Sequence, residues 1–194
     1  MSSLPSVISV ILNTNRCEDT LVCLTSLAKG TYPDQHTIVL DNASSDGSPE
    51  AIRTWFPDVW LIPLTRNLGY TGNNNVGIQA ALKQGADWVF VLNEDTVVAE
   101  DCIAKLVAAA EADPQVGIVG PLVYHYDEPA VIQSAGGRLN KRWFAEHLGQ
   151  NEDDHGQYSQ PYAVDYISGC AILVKRAVIE QIGGLDERLF YYWE

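Results

Sequence analysis

Positive charge is scarce in this chain of 194 residues, which carries 12 Lys and Arg against 25 Asp and Glu, a formal balance of −13. Its sequence pI near 4.5 argues against a nucleic-acid partner, because such a partner requires a basic surface. The same balance argues against docking to anionic lipid through a polybasic surface, unless a basic part of the protein lies outside this chain.

Long apolar runs and paired-cysteine motifs are also missing. No stretch of about 18 consecutive apolar residues occurs, so no transmembrane segment is expected. The N-terminus lacks the basic region of a signal peptide. The four cysteines include no CxxC pair, which argues against a zinc ribbon and favours free thiols in a reducing compartment. We therefore expect a cytoplasmic protein.

Short apolar runs alternate with amphipathic helical patterns along most of the chain. This order predicts an α/β fold with a mostly parallel, doubly wound sheet and helices on both faces. The length favours a single domain over residues 1–194, and residues 125–160 predict a long loop or a weakly ordered hairpin. Strands are expected at residues 7–12, 37–40, 59–64, 88–92 and 164–174, and helices at 19–29, 48–56 with Ser48 as N-cap, 73–84, 99–110 and 176–182.

Polar clusters follow four of the predicted strands, at residues 13–15, 41–48, 67–75 and 93–96. Parallel strands bring such residues to one edge of the sheet, where α/β proteins bind ligands. Each cluster taken alone is also typical of turns and helix caps. Four clusters at the same end of consecutive strands favour a binding site.

The second and third clusters suit a nucleotide diphosphate. Asp41 can accept a hydrogen bond from a ring N–H such as N3 of uracil or thymine. Gly69 and Gly72 allow close backbone approach to a diphosphate, and a helix that starts near Asn73 would present N–H groups to anions. No G-x-G precedes these glycines, so the dinucleotide-binding pattern is absent.

The fourth cluster suits a divalent cation. Asn93, Glu94 and Asp95 supply hard oxygen ligands where Mg²⁺ or Mn²⁺ could bridge phosphates. A solvated turn is the alternative for so short an acidic segment. The metal is favoured because a chain of net charge −13 would otherwise repel a diphosphate.

In combination these motifs resemble family 2 glycosyltransferases of the GT-A fold, especially the rhamnosyltransferase-like bacterial branch. The resemblance covers roughly residues 7–194 and is highly specific because its segments occur in order. The segments that carry it are residues 7–15, 41–48, 67–77, 93–96, 165–176, 183–187 and 191–194.

The resemblance implies a nucleotide-sugar-binding half over residues 1–120 and an acceptor-side half over residues 121–194. Asp41 would read the nucleobase, and Asp95 would bind the Mg²⁺ or Mn²⁺ ion on the diphosphate. Gly169 and Cys170 would lie on the acceptor side. The remaining nucleotide-sugar-binding residues would be Asn13, Thr14, Asn67, Gly69, Asn75, Asn93 and Glu94.

Three positions depart from the family pattern. Thr14 stands where the family often has Tyr, and Asn93 replaces an acid of stricter DxD motifs. The family's general base is usually the Asp directly after a Glu, and the sequence given ends at Glu194. Glu194 is therefore the catalytic candidate within the chain, with the true base expected to follow it. We expect this chain to bind donor and to transfer sugar poorly.

The implied reaction is inverting transfer of a sugar from a UDP- or dTDP-sugar, with rhamnose among the candidates, to a cell-surface glycan or lipid-linked acceptor. Such an acceptor would bring the enzyme to the inner face of the cell membrane as a peripheral protein. Two alternatives stay open. A nucleotidyltransferase would want a basic phosphate-binding loop after the first strand, where only Arg16 is present. A donor-binding module without activity would bind nucleotide and form no product.

Overall fold

Strands and helices alternate through the first part of the computed structural model, which describes residues 4–190. This alternation confirms the predicted α/β order. The elements are β1 (Val7–Asn13), α1 (Cys17–Ala28), β2 (Gln35–Asp41), α2 (Ser48–Trp55), β3 (Trp60–Pro63), α3 (Gly69–Lys83), β4 (Trp88–Asn93) and α4 (Cys102–Glu111).

The second part has shorter elements. Residues 125–160, predicted as a long loop or weak hairpin, include strands of two small antiparallel sheets, which pair β6 with β7 and β8 with β9. The elements are β5 (Ile118–Val119), β6 (Val123–Tyr124), β7 (Ile132–Ser134), β8 (Gly137–Leu139), β9 (Ala145–His147), β10 (Ala171–Lys175), α5 (Arg176–Ile182) and a 3₁₀ turn at Glu187–Leu189.

The strand predicted over residues 164–174 is wrong in its first half. Of the predicted range, only the part from Ala171 onward forms a strand of the main sheet, β10, which pairs with β4. The preceding residues turn toward the β8–β9 hairpin instead, where Gly137 N–H donates to the Tyr166 carbonyl oxygen at 3.0 Å and Asp165 N–H donates to the Gly137 carbonyl oxygen at 2.9 Å. These tertiary hydrogen bonds replace strand pairing for that segment.

The six-stranded sheet has the order β3-β2-β1-β4-β10-β5. β1 pairs in parallel with β2 and β4, and β2 pairs in parallel with β3. β10 is antiparallel to both β4 and β5. The sheet is thus mostly parallel, as predicted, with β10 alone running in the opposite direction.

Helices cover both faces of the sheet, which confirms that prediction. On one face Leu24 of α1, Ile52 of α2 and Leu106 of α4 are buried in a cluster with Phe90 of β4. On the other face, residues of α3 and α5 pack against β1, β2 and β4. A Cβ atom at Gly77 would collide with Val10, so this glycine lets α3 approach β1 closely. Within residues 4–190, no helix is long and apolar enough to cross a membrane.

Candidate functional site

The carboxyl ends of β1, β2 and β4 meet at one edge of the sheet. Asn13 pairs with Asp41 across β1 and β2, and Leu12 pairs with Asn93 across β1 and β4. The chain adds β2 and β3 on one side of β1 and then crosses over to add β4 on the other side, so the order of the strands reverses at β1. A crevice outside the strand ends at such a switch point is where open α/β sheets bind ligands.

Asn13 and Asp41 form a buried polar pair at this edge. Asn13 is 0% exposed and Asp41 is 5% exposed. Asn13 Nδ2 donates to Asp41 Oδ1 at 2.9 Å, and Ser44 N–H donates to Asp41 Oδ2 at 3.2 Å. Thr20 Oγ1 donates to Asn13 Oδ1 at 2.9 Å and so fixes the amide orientation. A carboxylate offers about four acceptor sites, so Asp41 keeps acceptor capacity for a ligand N–H.

The loops after β1 and β2 are bonded to each other. Asn15 N–H donates to Ser44 Oγ at 2.9 Å, and Ser45 N–H donates to Asn15 Oδ1 at 2.8 Å. Asn42 Nδ2 donates to Thr14 Oγ1 at 3.3 Å, with the Thr14 side chain exposed. The strand-end residues predicted to line a nucleobase pocket, including Thr14, therefore form one hydrogen-bonded unit.

Helix α3 starts at Gly69, so the prediction that it begins near Asn73 is wrong. Asn67 Oδ1 accepts from Gly69 N–H at 2.9 Å and from Asn73 Nδ2 at 3.3 Å, while Asn73 Oδ1 accepts from Leu68 N–H at 3.0 Å. Gly69 has φ +76°, which favours glycine. These amide contacts satisfy N–H groups at the start of the helix and allow it to begin a turn earlier than predicted.

The prediction of Ser48 as the N-cap of α2 is also wrong. Asp46 Oδ1 accepts from Ser48 N–H at 3.0 Å, so α2 already begins at Ser48 and does not begin after it.

The end of the described chain packs against the start of α3. Tyr70 N–H donates to the Phe190 carbonyl oxygen at 2.7 Å. Asn75 Nδ2 donates to the Leu185 carbonyl oxygen at 2.9 Å and to Glu187 Oε1 at 3.1 Å, and Asn75 Oδ1 accepts from Leu185 N–H at 2.8 Å. Asn75 thus contacts the C-terminal segment, and its predicted part in shaping the donor site stays a prediction.

Tyr70 joins the end of β4 to the acceptor-side segment. Its hydroxyl lies 3.1 Å from Asn93 Oδ1 and 2.9 Å from the Gly169 carbonyl oxygen. Asn93 N–H donates to the Cys170 carbonyl oxygen at 2.9 Å. The structure therefore brings Asn93, Gly169 and Cys170 together. Sequence reasoning did not single out Tyr70, although it lies inside the 67–75 cluster.

Glu94 and Asp95 concentrate negative charge at the end of β4. Burial raises the pKa of the Glu94 carboxyl, and the charge of Asp95 raises it further. The Asp95 side chain is exposed to solvent. Among residues 4–190 there is no group of three or more His, Cys, Asp or Glu that could hold a metal ion by itself. A cation at Asp95 would complete its coordination with other oxygen atoms, such as those of water or of substrate phosphates.

Gly169 and Cys170 differ in what they can do. A Cβ at Gly169 would have no atom within 4 Å, so space is open beside it. Burial raises the pKa of the Cys170 thiol, and the charge of Asp95 raises it further. A thiol that stays protonated is a poor nucleophile. The predicted place of Cys170 on the acceptor side stays a prediction. Glu194, the predicted catalytic residue, lies outside the described residues.

The sequence profile of glycosyl transferase family 2 matches residues 6–183. The chain belongs to this family. An N-acetylglucosaminyl-diphospho-decaprenol L-rhamnosyltransferase from Mycobacterium tuberculosis is 31% identical over 88% of the chain and 62% of that protein. A galactofuranosyltransferase from the same organism is 30% identical over 95% of the chain and 60% of that protein. The chain thus spans about three-fifths of the length of these relatives.

Solved structures show the same fold. A mannosyltransferase from Pyrobaculum calidifontis, determined with GDP-Man and Mn²⁺, superposes with a TM-score of 0.66 at 22% identity, over 96% of this chain and 49% of that one. S. aureus TarS gives a TM-score of 0.64 at 16% identity, over 96% of this chain and 52% of that one. These likenesses confirm the predicted GT-A architecture.

Proposed function

We propose that this chain carries the donor site of an inverting glycosyltransferase that uses a uridine or thymidine diphosphate sugar. One observation carries the proposal: Asn13, Asp41 and Asn93 lie at the same edge of the sheet, with Asp95 directly beyond. Family membership and the named relatives support the reaction type. The proposed donor-binding residues occupy 1–120 and the proposed acceptor-side residues 121–194.

In this proposal Asp41 accepts the ring N–H of the base. It suits that task because its carboxylate is buried and accepts hydrogen bonds from the neutral donors Asn13 and Ser44. A carboxylate in a nearly dry position discriminates strongly between a ring with an N–H and a ring without one, since an unpaired buried acceptor is costly. Thr14, whose hydroxyl accepts from Asn42 at 3.3 Å, would border the same base from the loop after β1.

Asp95 would hold a Mg²⁺ or Mn²⁺ ion, with Asn93 and Glu94 beside it. The donor set fits such an ion, because Mg²⁺ is commonly held by one or two carboxylates together with substrate phosphates. The bound ion would neutralise charge on the leaving diphosphate. Asn67 and Gly69 would border the phosphates from the start of α3, which carries no acidic residue in its first turn.

The acceptor would approach from the side of Gly169, where space is open and Tyr70 fixes the backbone. By the chemistry of the relatives, a lipid-linked or glycan hydroxyl is the proposed nucleophile. The base that takes its proton is proposed at or after Glu194.

Calorimetric titration of UDP and TDP, with and without Mn²⁺, tests the donor and metal assignments together. Mn²⁺ should tighten binding about tenfold or more in the parent chain and not in Asp95→Asn. Asp58→Asn is the matched control, because Asp58 is exposed just before β3, at the opposite edge of the sheet. Unchanged Mn²⁺ enhancement in Asp95→Asn would refute the metal assignment. Failure of both nucleotides to bind would refute the donor class.

A further inference from the structure

The β8–β9 hairpin exposes a cluster of large apolar side chains, here called the hairpin tip and defined as residues 139–144. Trp143 is 82% exposed, Phe144 66% and Leu139 40%. Single exposed apolar residues are normal on protein surfaces. Three of them on one short turn form a patch, and such patches mark interaction sites.

The same hairpin is locally basic although the chain is acidic. Residues 137–147 contain Arg138, Lys141 and Arg142 against the single acid Glu146, a local balance of 3 − 1 = +2. None of these three cations forms an ion pair with any residue in the described range 4–190. Glu146 accepts from Asn140 Nδ2 at 2.7 Å. Asp165 Oδ2 accepts from Leu139 N–H at 2.8 Å, so with this carboxylate the balance becomes 3 − 2 = +1. Charges farther away than about 8–10 Å are largely screened at physiological salt, so a partner at the tip meets a net positive charge.

The turn holds this tip in a fixed shape. Asn140 Oδ1 accepts from Arg142 N–H at 2.9 Å and from Phe144 N–H at 3.2 Å, and Asn140 N–H donates to the Phe144 carbonyl oxygen at 3.0 Å. Trp143 has φ +63°, a conformation that is rare for a bulky residue. Backbone strain of this kind persists where the surroundings impose it and is frequent at functional sites. The hairpin therefore holds the backbone of Trp143 and Phe144 in a defined turn.

We propose that the hairpin tip docks on a membrane surface that contains anionic phospholipid. Trp143 and Phe144 would enter the boundary between headgroups and acyl chains, and Lys141 and Arg142 would contact lipid phosphates. Aromatic side chains beside Lys and Arg are the usual composition of segments that lie at this interface. The local charge reverses the expectation drawn from the net charge of the whole chain.

Two features favour a membrane over other partners. A stable protein interface buries about 800 Å² on each side, which is more than a six-residue turn offers. Stacking on a neutral sugar would use the aromatic rings and leave Lys141 and Arg142 without a role. The hairpin also bonds through Gly137 to Tyr166, shortly before Gly169 in the sequence, so its base adjoins the proposed acceptor-side segment. Lipid docking does not depend on the proposed reaction.

Sedimentation with phosphatidylcholine vesicles, with and without phosphatidylglycerol, tests the proposal on the 194-residue chain. Binding should require phosphatidylglycerol and weaken with salt. Joint replacement Trp143→Ser and Phe144→Ser should lower partitioning about tenfold or more, and Lys141→Gln about fivefold. Trp55→Ser is the matched control, because Trp55 is 73% exposed on α2, away from the hairpin.

Fluorescence quenching by brominated lipid locates the contact. Trp143→Phe should keep vesicle binding and lose most of the quenching. No binding to anionic vesicles, or an equal loss in Trp55→Ser, would overturn the proposal. If a soluble oligosaccharide shields the Trp143 fluorescence from quenching and the chain does not bind vesicles, the proposal is overturned as well. Nucleotide titration of the Trp143/Phe144 variant should match the parent, which separates this test from that of the donor site.

Discussion

Residues 7–93 and residues 118–170 satisfy their backbone groups in different ways. In the first region most backbone hydrogen bonds lie within helices or between parallel strands, and β1 and β4 are almost wholly buried. In the second region the strands have two or three residues, and side chains such as Asn140 and Asp165 accept from the backbone instead. The first region is therefore a packed scaffold, and the second is a surface whose shape depends on individual polar contacts.

This contrast predicts different tolerance to the same substitution. Phe90→Ala should destabilise the protein by about 3–5 kcal/mol, because Phe90 is 0% exposed and its removal leaves a cavity. Phe144→Ala, at 66% exposure, should change stability by about 0.5 kcal/mol or less. Urea unfolding of both variants measures the difference. Similar losses would mean that the hairpin tip is buried in solution and that the contrast is false.

Asp41 lies at the end of β2 in the packed scaffold, and its proposed contact with the nucleobase can be tested by substitution. Asp41→Ala should weaken binding of uracil or thymine nucleotides by about 1.5–3 kcal/mol, because one hydrogen bond to a charged group is lost. Titration calorimetry on folded protein gives the affinity, with Asp58→Ala as control. Loss of affinity for the sugar alone, with nucleotide affinity intact, would contradict the base-reading role.

Asn75 couples α3 to the C-terminal segment. Asn75→Ala should lower the free energy of unfolding by about 1–2 kcal/mol, because its amide makes three hydrogen bonds to Leu185 and Glu187. Gln79→Ala, at an exposed position one turn later, should be nearly neutral. Hydrogen exchange at the Leu185 amide should accelerate only in the first variant. Equal exchange in both would show that the segment is held by other contacts.

The smallest expected effect concerns Glu94. Burial raises the pKa of the Glu94 carboxyl in the folded state, so folding favours its protonated form. The contribution of this group to the free energy of unfolding is therefore largest below the usual glutamate pKa, and it is lost as the pH rises through the folded-state pKa. Glu94→Gln should therefore be slightly more stable than the parent at pH 7 and equal to it near pH 4. Thermal unfolding at the two pH values measures this. If the parent gains stability relative to Glu94→Gln as the pH rises from 4 to 7, the pKa of Glu94 is not raised in the folded state.

Sequence patterns predicted the scaffold well because its signals are local. The apolar run of β1 and the helical spacing of Leu24 and Leu106 need only neighbouring residues to be read. The start of α3 was missed because the amides of Asn67 and Asn73 satisfy N–H groups ahead of the predicted helix start. The strand over residues 164–174 was overextended because Tyr166 bonds to Gly137 and not to the sheet.

By itself the sequence determined the α/β order, the polar strand ends and the membership of a glycosyltransferase family. Only the tertiary structure decided that Tyr70 bridges Asn93 and Gly169, and that Asn75 holds Leu185. The physical reason is sequence separation. The Tyr70–Gly169 and Asn75–Leu185 contacts join residues 99 and 110 positions apart, and no local periodicity encodes them. The hairpin tip differs from these contacts, because its basic and aromatic residues are neighbours in the sequence, and only the exposure of Trp143 and Phe144 was decided by the tertiary structure.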